Sequence, residues 1–227
     1  MMGYLSQLMR CNRWFFGGFL LFLLIGGVLL LLLQEGKEIF FFSDKRSYAT
    51  DLFFRFFTNL GDGAIFVIAL IILPFWRFRT AIVMFLLGLS VLITSSATKQ
   101  IFSQPRPYRY FEERDLLDEI TFVDGVRLAK GTTSFPSGHT MTGFAFYAFL
   151  ALIIPRKKWM GLLLLLTAIL VGVSRMYLVQ HFLSDVYLGA ITGVMLAIIF
   201  HYIHNHYFRQ PWADRALLSK KAAMPEA

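Results

Sequence analysis

The 227-residue chain has one cysteine and few charges: only 16% of its residues are Asp, Glu, Lys or Arg. A lone Cys11 excludes an intramolecular disulfide, so redox compartment cannot be read from cysteine usage. No Pro/Gly/Ser-rich linker divides the chain, and neither a repeat nor a low-complexity tract occurs beyond the leucine-rich first apolar run. A single integral domain, 1–227, is therefore expected. The scarcity of charge also argues against a soluble protein. Hydrophobic residues make up 57% of the chain and aromatics 17%, and mean hydropathy is +0.61. These values predict an all-α, polytopic membrane protein.

Six apolar runs predict six transmembrane helices. They cover Trp14–Leu33, Ala64–Trp76, Thr80–Thr98, Ser137–Ile154, Trp159–Val173 and Phe182–Ile203. The first run is too long for a signal h-region and no small-residue cleavage site follows it, so an uncleaved span is expected. Its Gly17, Gly18, Gly26 and Gly27 suit close helix packing. Leu52–Leu60 reads as an aromatic helix at the interface, broken by Gly61-Asp62-Gly63. Asp62 is expected to cap the next helix or lie at headgroup level; an intramembrane functional acid is the alternative. The stretches Gln34–Asp51 and Lys99–Phe135 read as polar loops, and the tail after Asn205 as frayed.

The net charge of +8 would suit a nucleic-acid binder, but its distribution argues otherwise. One set of alternate segments holds eleven bases against two acids; the other holds eleven of each, with Asp62 left over. The basic side includes Arg10, Arg13, Arg77, Arg79, Arg156-Lys157-Lys158 and the tail 207–227. The positive-inside rule places that side, with both termini, in the cytoplasm. No nucleic-acid partner is expected, and the excess charge is a topology signal.

Three stretches carry chemistry, each at the outward end of an expected span. Lys99 is followed after six residues by Arg106-Pro107. Lysine offers a point charge and arginine a planar fork suited to phosphate oxygens. Pro136-Ser137-Gly138-His139 precedes an apolar helix. There Ser137 is a good N-cap, Gly138 permits close approach of an anion, and the first helical amides point outward. The third stretch is Ser174-Arg175, then His181 and Asp185. If His181 and Asp185 share a helix face at i, i+4, the carboxylate reaches one ring nitrogen and leaves the other as nucleophile or base. Taken singly, each stretch has an ordinary reading: a snorkelling lysine, a capped helix, a structural His–Asp contact. Together, two histidines, three cations and a helix N-terminus make an anion-handling site.

These stretches resemble the three-part signature of the type 2 phosphatidic acid phosphatase superfamily, which includes membrane lipid phosphatases, bacterial acid phosphatases and vanadium haloperoxidases. All three parts are complete and in order, the signature region is 99–185, and the resemblance covers about residues 50–205. It implies that His181 is the nucleophile, forming a phosphohistidine, with Asp185 orienting it. It implies that His139 protonates the leaving group and later serves as base toward water. Lys99, Arg106, Arg175, Ser137 and Gly138 would hold the phosphate oxygens. No metal and no cofactor are implied, and no obligatory protein partner is expected.

The expected protein is thus a lipid-phosphate phosphatase of a bacterial inner membrane, its site at the extracytoplasmic helix ends. Candidate substrates are undecaprenyl pyrophosphate, phosphatidylglycerol phosphate, phosphatidate and lipid A. Two rivals share the residues: a phosphotransferase, in which another acceptor replaces water, and a non-catalytic anion- or lipid-binding membrane protein. The second would need polar residues along several spans at mid-membrane, and spans one, three, four and five contain few. His201, His204 and His206 are a weak metal candidate, since His206 falls off the 201/204 face. The acidic Glu112–Glu119 reads as a solvated face, and Phe40–Phe42 and Phe53–Phe57 as interfacial packing.

Overall fold

The computed structural model describes residues 2–154, 158–207 and 212–217. Arg156, Lys157, Arg209 and the tail beyond Leu217, which contribute to the charge asymmetry, lie outside the described residues. The described residues form helices and turns, with no strand among them. In chain order the helices are α1 (Met2–Cys11), α2 (Arg13–Leu32), α3 (Lys37–Ser43), α4 (Tyr48–Asn59), α5 (Ala64–Ile72), α6 (Phe78–Phe102), α7 (Pro107–Glu112), α8 (Gly138–Ile153), α9 (Lys158–Tyr177) and α10 (Leu183–His206).

Among the described residues, four helices are long and apolar enough to cross a membrane: α2, α6, α9 and α10. The bent pair formed by α4 and α5, with its 3-10 extension to Phe75, makes a fifth if counted as one span; its bend is 57°. By length and composition the described residues thus supply four or five spans, where six were expected. The segment expected as the fourth span is α8, only 16 residues long. Eleven of those residues are buried, so its apolarity is used against protein. α2 is the converse case. Leu20, Leu21, Leu24, Leu31 and Leu32 all point outward, as a lipid-facing helix requires.

α8 is the axis of the bundle and packs most extensively on α10, then on α9. The close contact with α10 depends on Gly189 and Gly193. A β-carbon on Gly193 would lie 2.6 Å from the Met141 carbonyl oxygen and 2.9 Å from the Ala145 nitrogen. In α2, Gly18 packs on Leu165 and Gly26 on Tyr187, whereas Gly17 faces open space. The expected role for these glycines thus holds for only part of the set.

The stretches read as polar loops contain structure. α3 lies within the first, and α7 within the second. Ile39, Phe111, Ile120, Val179 and Phe182 form a small apolar cluster that seats α3 and α7 on the turn between α9 and α10. At the opposite end, α1 docks on α10 through a 2.6 Å bond between Tyr4 Oη and His201 Nδ1. Of the tail expected to fray, the described residues 212–217 are docked, and the rest beyond Tyr207 lies outside the described residues. Arg79 pairs with Asp214 at 2.8 Å, and the Arg79 amide donates to the Ala213 carbonyl.

Candidate active site

Four helix ends meet in one place. Lys99 lies in the last turn of α6, Gly138 begins α8, Arg175 lies in the last turn of α9, and Leu183 begins α10. Backbone hydrogen bonds fasten them together. The Arg175 carbonyl accepts from the amides of Gln180 and His181, which folds the turn 178–182 back over the end of α9. The Ser137 amide donates to the Asp185 carbonyl at 3.0 Å, which fixes α8 to α10. Cation, imidazole, carboxylate and helix N-terminus are thereby brought together by the main chain.

His181 Nδ1 lies 3.1 Å from Asp185 Oδ2, and both residues are buried. The expected pairing is present, but not for the expected reason. His181 precedes α10 and shares no helical face with Asp185. Asp185 instead sits in the first turn and reaches back as a capping carboxylate does, accepting the Phe182 amide at 3.0 Å with the same oxygen. Ser134 donates its hydroxyl to that oxygen as well. Asp185 Oδ1 is buried and has no partner among the described residues. With Nδ1 turned to a carboxylate, the proton belongs on Nδ1 and Nε2 keeps its lone pair. Burial, then the charges of Arg175, Arg106 and Lys99, hold the His181 imidazole well below its ordinary pKa, so it is neutral.

The cations surround this ring. A β-carbon on Gly138 would lie 3.3 Å from Lys99 Nζ and 3.0 Å from Ser95 Oγ, so the ammonium sits against the bare backbone of α8's first turn. Arg106 is steadied by the Gln180 and Thr133 carbonyls, each at 3.3 Å. Arg175 donates to Thr58 Oγ1; its Nε is buried with no partner among the described residues. The three like charges interact with one another and with His181. Such crowding is costly unless an anion offsets it. Ser137 caps α8 as expected, accepting from Thr140 Oγ1 at 2.9 Å and, at 3.4 Å, from its amide. His139 is a third exposed and faces Asp62.

The residues of the three signature stretches thus gather in this cluster: Lys99, Arg106, Ser137, Gly138, His139, Arg175, His181 and Asp185. Sequence reasoning missed Ser134 and Thr58, which support Asp185 and Arg175 from distant segments, and Glu38 of α3. Glu38 is buried and accepts the Leu183 amide at 2.8 Å, capping α10 from outside. None has a local spacing that marks it; each is defined by packing. His201, His204 and His206 form no metal-sized group, and no such group occurs among the described residues. His201 bonds Tyr4, His204 bonds Thr80, and His206 stacks on Tyr202.

Fold and site define a helical, membrane-type bundle with three cations and two imidazoles gathered at its helix ends. Residues 79–209, more than half of the chain, match the PAP2 superfamily, and the chain belongs to that superfamily. It is 30% identical over 171 residues to a lipid A 4'-phosphatase of Porphyromonas gingivalis, covering 71% of this chain and 69% of that protein. It is 31% identical over 158 residues to lipid phosphate phosphatase 1 of Arabidopsis thaliana, covering 58% of this chain and 48% of that protein. It is also similar to the crystal structure of Aquifex aeolicus LpxE, with a TM-score of 0.59 and 28% identity, covering 71% of this chain and 91% of that one. The chain spans about half the length of several of the curated relatives it matches.

Proposed function

We propose that this protein is an integral membrane phosphatase that hydrolyses a phosphomonoester or pyrophosphate on an amphiphilic lipid. The observation that carries the reading is the His181 imidazole, held at Nδ1 by Asp185 and flanked by Lys99, Arg106 and Arg175. His181 Nε2 attacks phosphorus while Lys99, Arg106, Arg175, Ser137 and the Gly138 amide hold the phosphate oxygens. The P–O bond breaks, and His139 gives a proton to the leaving oxygen. Water then attacks the phosphohistidine, with His139 as base. The lipid relatives support an amphiphilic substrate. So does an apolar groove of about 400 Å³ between α5 and α6, lined in part by Phe66, Val67 and Leu92, which ends at Ser95 and Gly138. The chain acts as one membrane domain with six traversing segments, α8 among them. Its termini are cytoplasmic, and the site opens on the outer face of a bacterial inner membrane.

The test is phosphate release by purified protein in detergent micelles containing EDTA. The panel holds phosphatidate, phosphatidylglycerol phosphate, undecaprenyl pyrophosphate and lipid A. Wild type should release phosphate from at least one of them, and Lys99→Ala should lower kcat/KM by about 100-fold. No release from any lipid by folded wild type would overturn the reading.

A pH prediction follows from His181. Its lowered pKa keeps the nucleophile neutral as pH falls, so the acid limb should lie below pH 6.5, the ordinary imidazole value. The measurement is kcat/KM against pH, divided by the dianionic fraction of the substrate. A limb at or above the ordinary value would contradict a buried, cation-flanked nucleophile.

A further inference from the structure

We propose that Asp62 is a positioning residue for His139, so that the site holds two carboxylate–imidazole pairs, His181–Asp185 and His139–Asp62. The inference rests on the reading of His139 as proton donor and adds a partner for it. The break between α4 and α5 is built to bring this carboxylate to α8. Asp62 Oδ1 accepts the Ala64 amide at 2.9 Å, which caps α5 and fixes the carboxylate plane. Its other oxygen, Oδ2, then lies 3.6 Å from His139 Nε2. Gly61 lets the break sit this close. A β-carbon there would strike Val171 Cγ1 and lie 2.9 Å from the carbonyl oxygen of His139 itself.

Capping occupies Oδ1 and leaves Oδ2 to face His139. The charges around His139 supply its purpose. The groups that interact with this imidazole are Arg175, Lys99, His181 and Asp62. Burial first, then the two fixed cations and His181 whenever it is charged, oppose a proton on His139. Asp62 is the carboxylate in the set, and it favours the protonated form. A proton donor surrounded by cations needs such a partner. With Nε2 turned to Asp62, the proton is delivered from Nδ1. The His181 Nε2–phosphorus bond forms, the P–O bond breaks with its electron pair on the leaving oxygen, and that oxygen takes the proton. His139 ends neutral and Asp62 stays ionised.

The leaving group separates this role from a structural one. An alkoxide needs the proton, whereas a nitrophenolate leaves without it. kcat/KM covers the steps through phosphoryl transfer and is blind to later hydrolysis. Asp62→Asn keeps the cap and removes the charge. It should lower kcat/KM for a lipid alkyl phosphate by about 10- to 100-fold, and for p-nitrophenyl phosphate by less than about threefold. The alkaline limb for the alkyl substrate should move to lower pH, and Asp62→Glu should restore part of the loss. Equal losses on both substrates, or no loss on either, while His139→Gln spares the nitrophenyl ester, would overturn the proposal alone. If wild type cleaves neither substrate, or His139→Gln loses equally on both, the proposal falls together with the reading of His139.

Discussion

Replacing His181 with alanine should lower lipid-phosphate turnover by at least about 10,000-fold, the largest effect expected of any single change in this chain. The remaining cations would still bind phosphate, so substrate affinity should change far less than kcat. The side chain is buried, so the variant's thermal midpoint serves as the folding control. Its hydrogen bonds are with Asp185 and Ser134, and its backbone is held independently by the Arg175 carbonyl. Rapid mixing with lipid labelled in its phosphate, quenched in base, should trap label on wild type and none on His181→Ala. A phosphoramidate survives base and is lost in acid, which distinguishes it from an acyl phosphate. Asp185→Asn belongs in the same experiment. It preserves the shape of the cap but replaces the carboxylate facing Nδ1, and should cost about 1,000-fold or more in kcat. Label retained on His181→Ala at the wild-type level would show that another residue is the nucleophile.

Gly193→Ala should be the most damaging change outside the site. Its β-carbon would meet the Met141 carbonyl oxygen at 2.6 Å, and the Ala145 nitrogen and Phe144 Cβ at 2.9 Å. Two of these are backbone atoms in the middle of a helix, so no rotamer change relieves them. α8 and α10 must separate along their most extensive contact, at an expected cost of about 3 kcal/mol. In detergent the thermal midpoint should fall by roughly 5–10 °C. Activity should fall too, because the Ser137–Asp185 main-chain bond lies on the same interface. Gly17→Ala is the control. Nothing approaches Gly17, and alanine is the better helix former, so stability should hold or rise slightly. A midpoint for Gly193→Ala within a degree of wild type would mean that the two helices are not packed as described.

The gathering of these residues was legible in the sequence because they occupy helix ends, and helix ends can be located from apolar runs. Lys99, Gly138 and Arg175 each close or open such a run. The His181–Asp185 spacing of four suggests a shared helical face, but here it places a capping carboxylate one turn inside α10 and the imidazole outside it. Ser134, Thr58 and Glu38 were illegible for a different reason: each reaches the site across more than fifty residues of chain or from another element, and tertiary packing leaves no local pattern. At α8 and at the α4–α5 break, the way each apolar run is used was not legible. Apolar composition is the same whether a helix meets lipid or protein, and sequence alone does not separate the two.

The enclosure of α8 has a consequence for how the protein lives in different membranes. A thicker or thinner bilayer acts first on α2, whose leucines meet it directly, and is accommodated there by tilt. The helix that carries Ser137, Gly138 and His139 takes its depth from α9 and α10 instead. The reacting groups are therefore levelled against one another rather than against the lipid, and their spacing persists when the surrounding membrane changes.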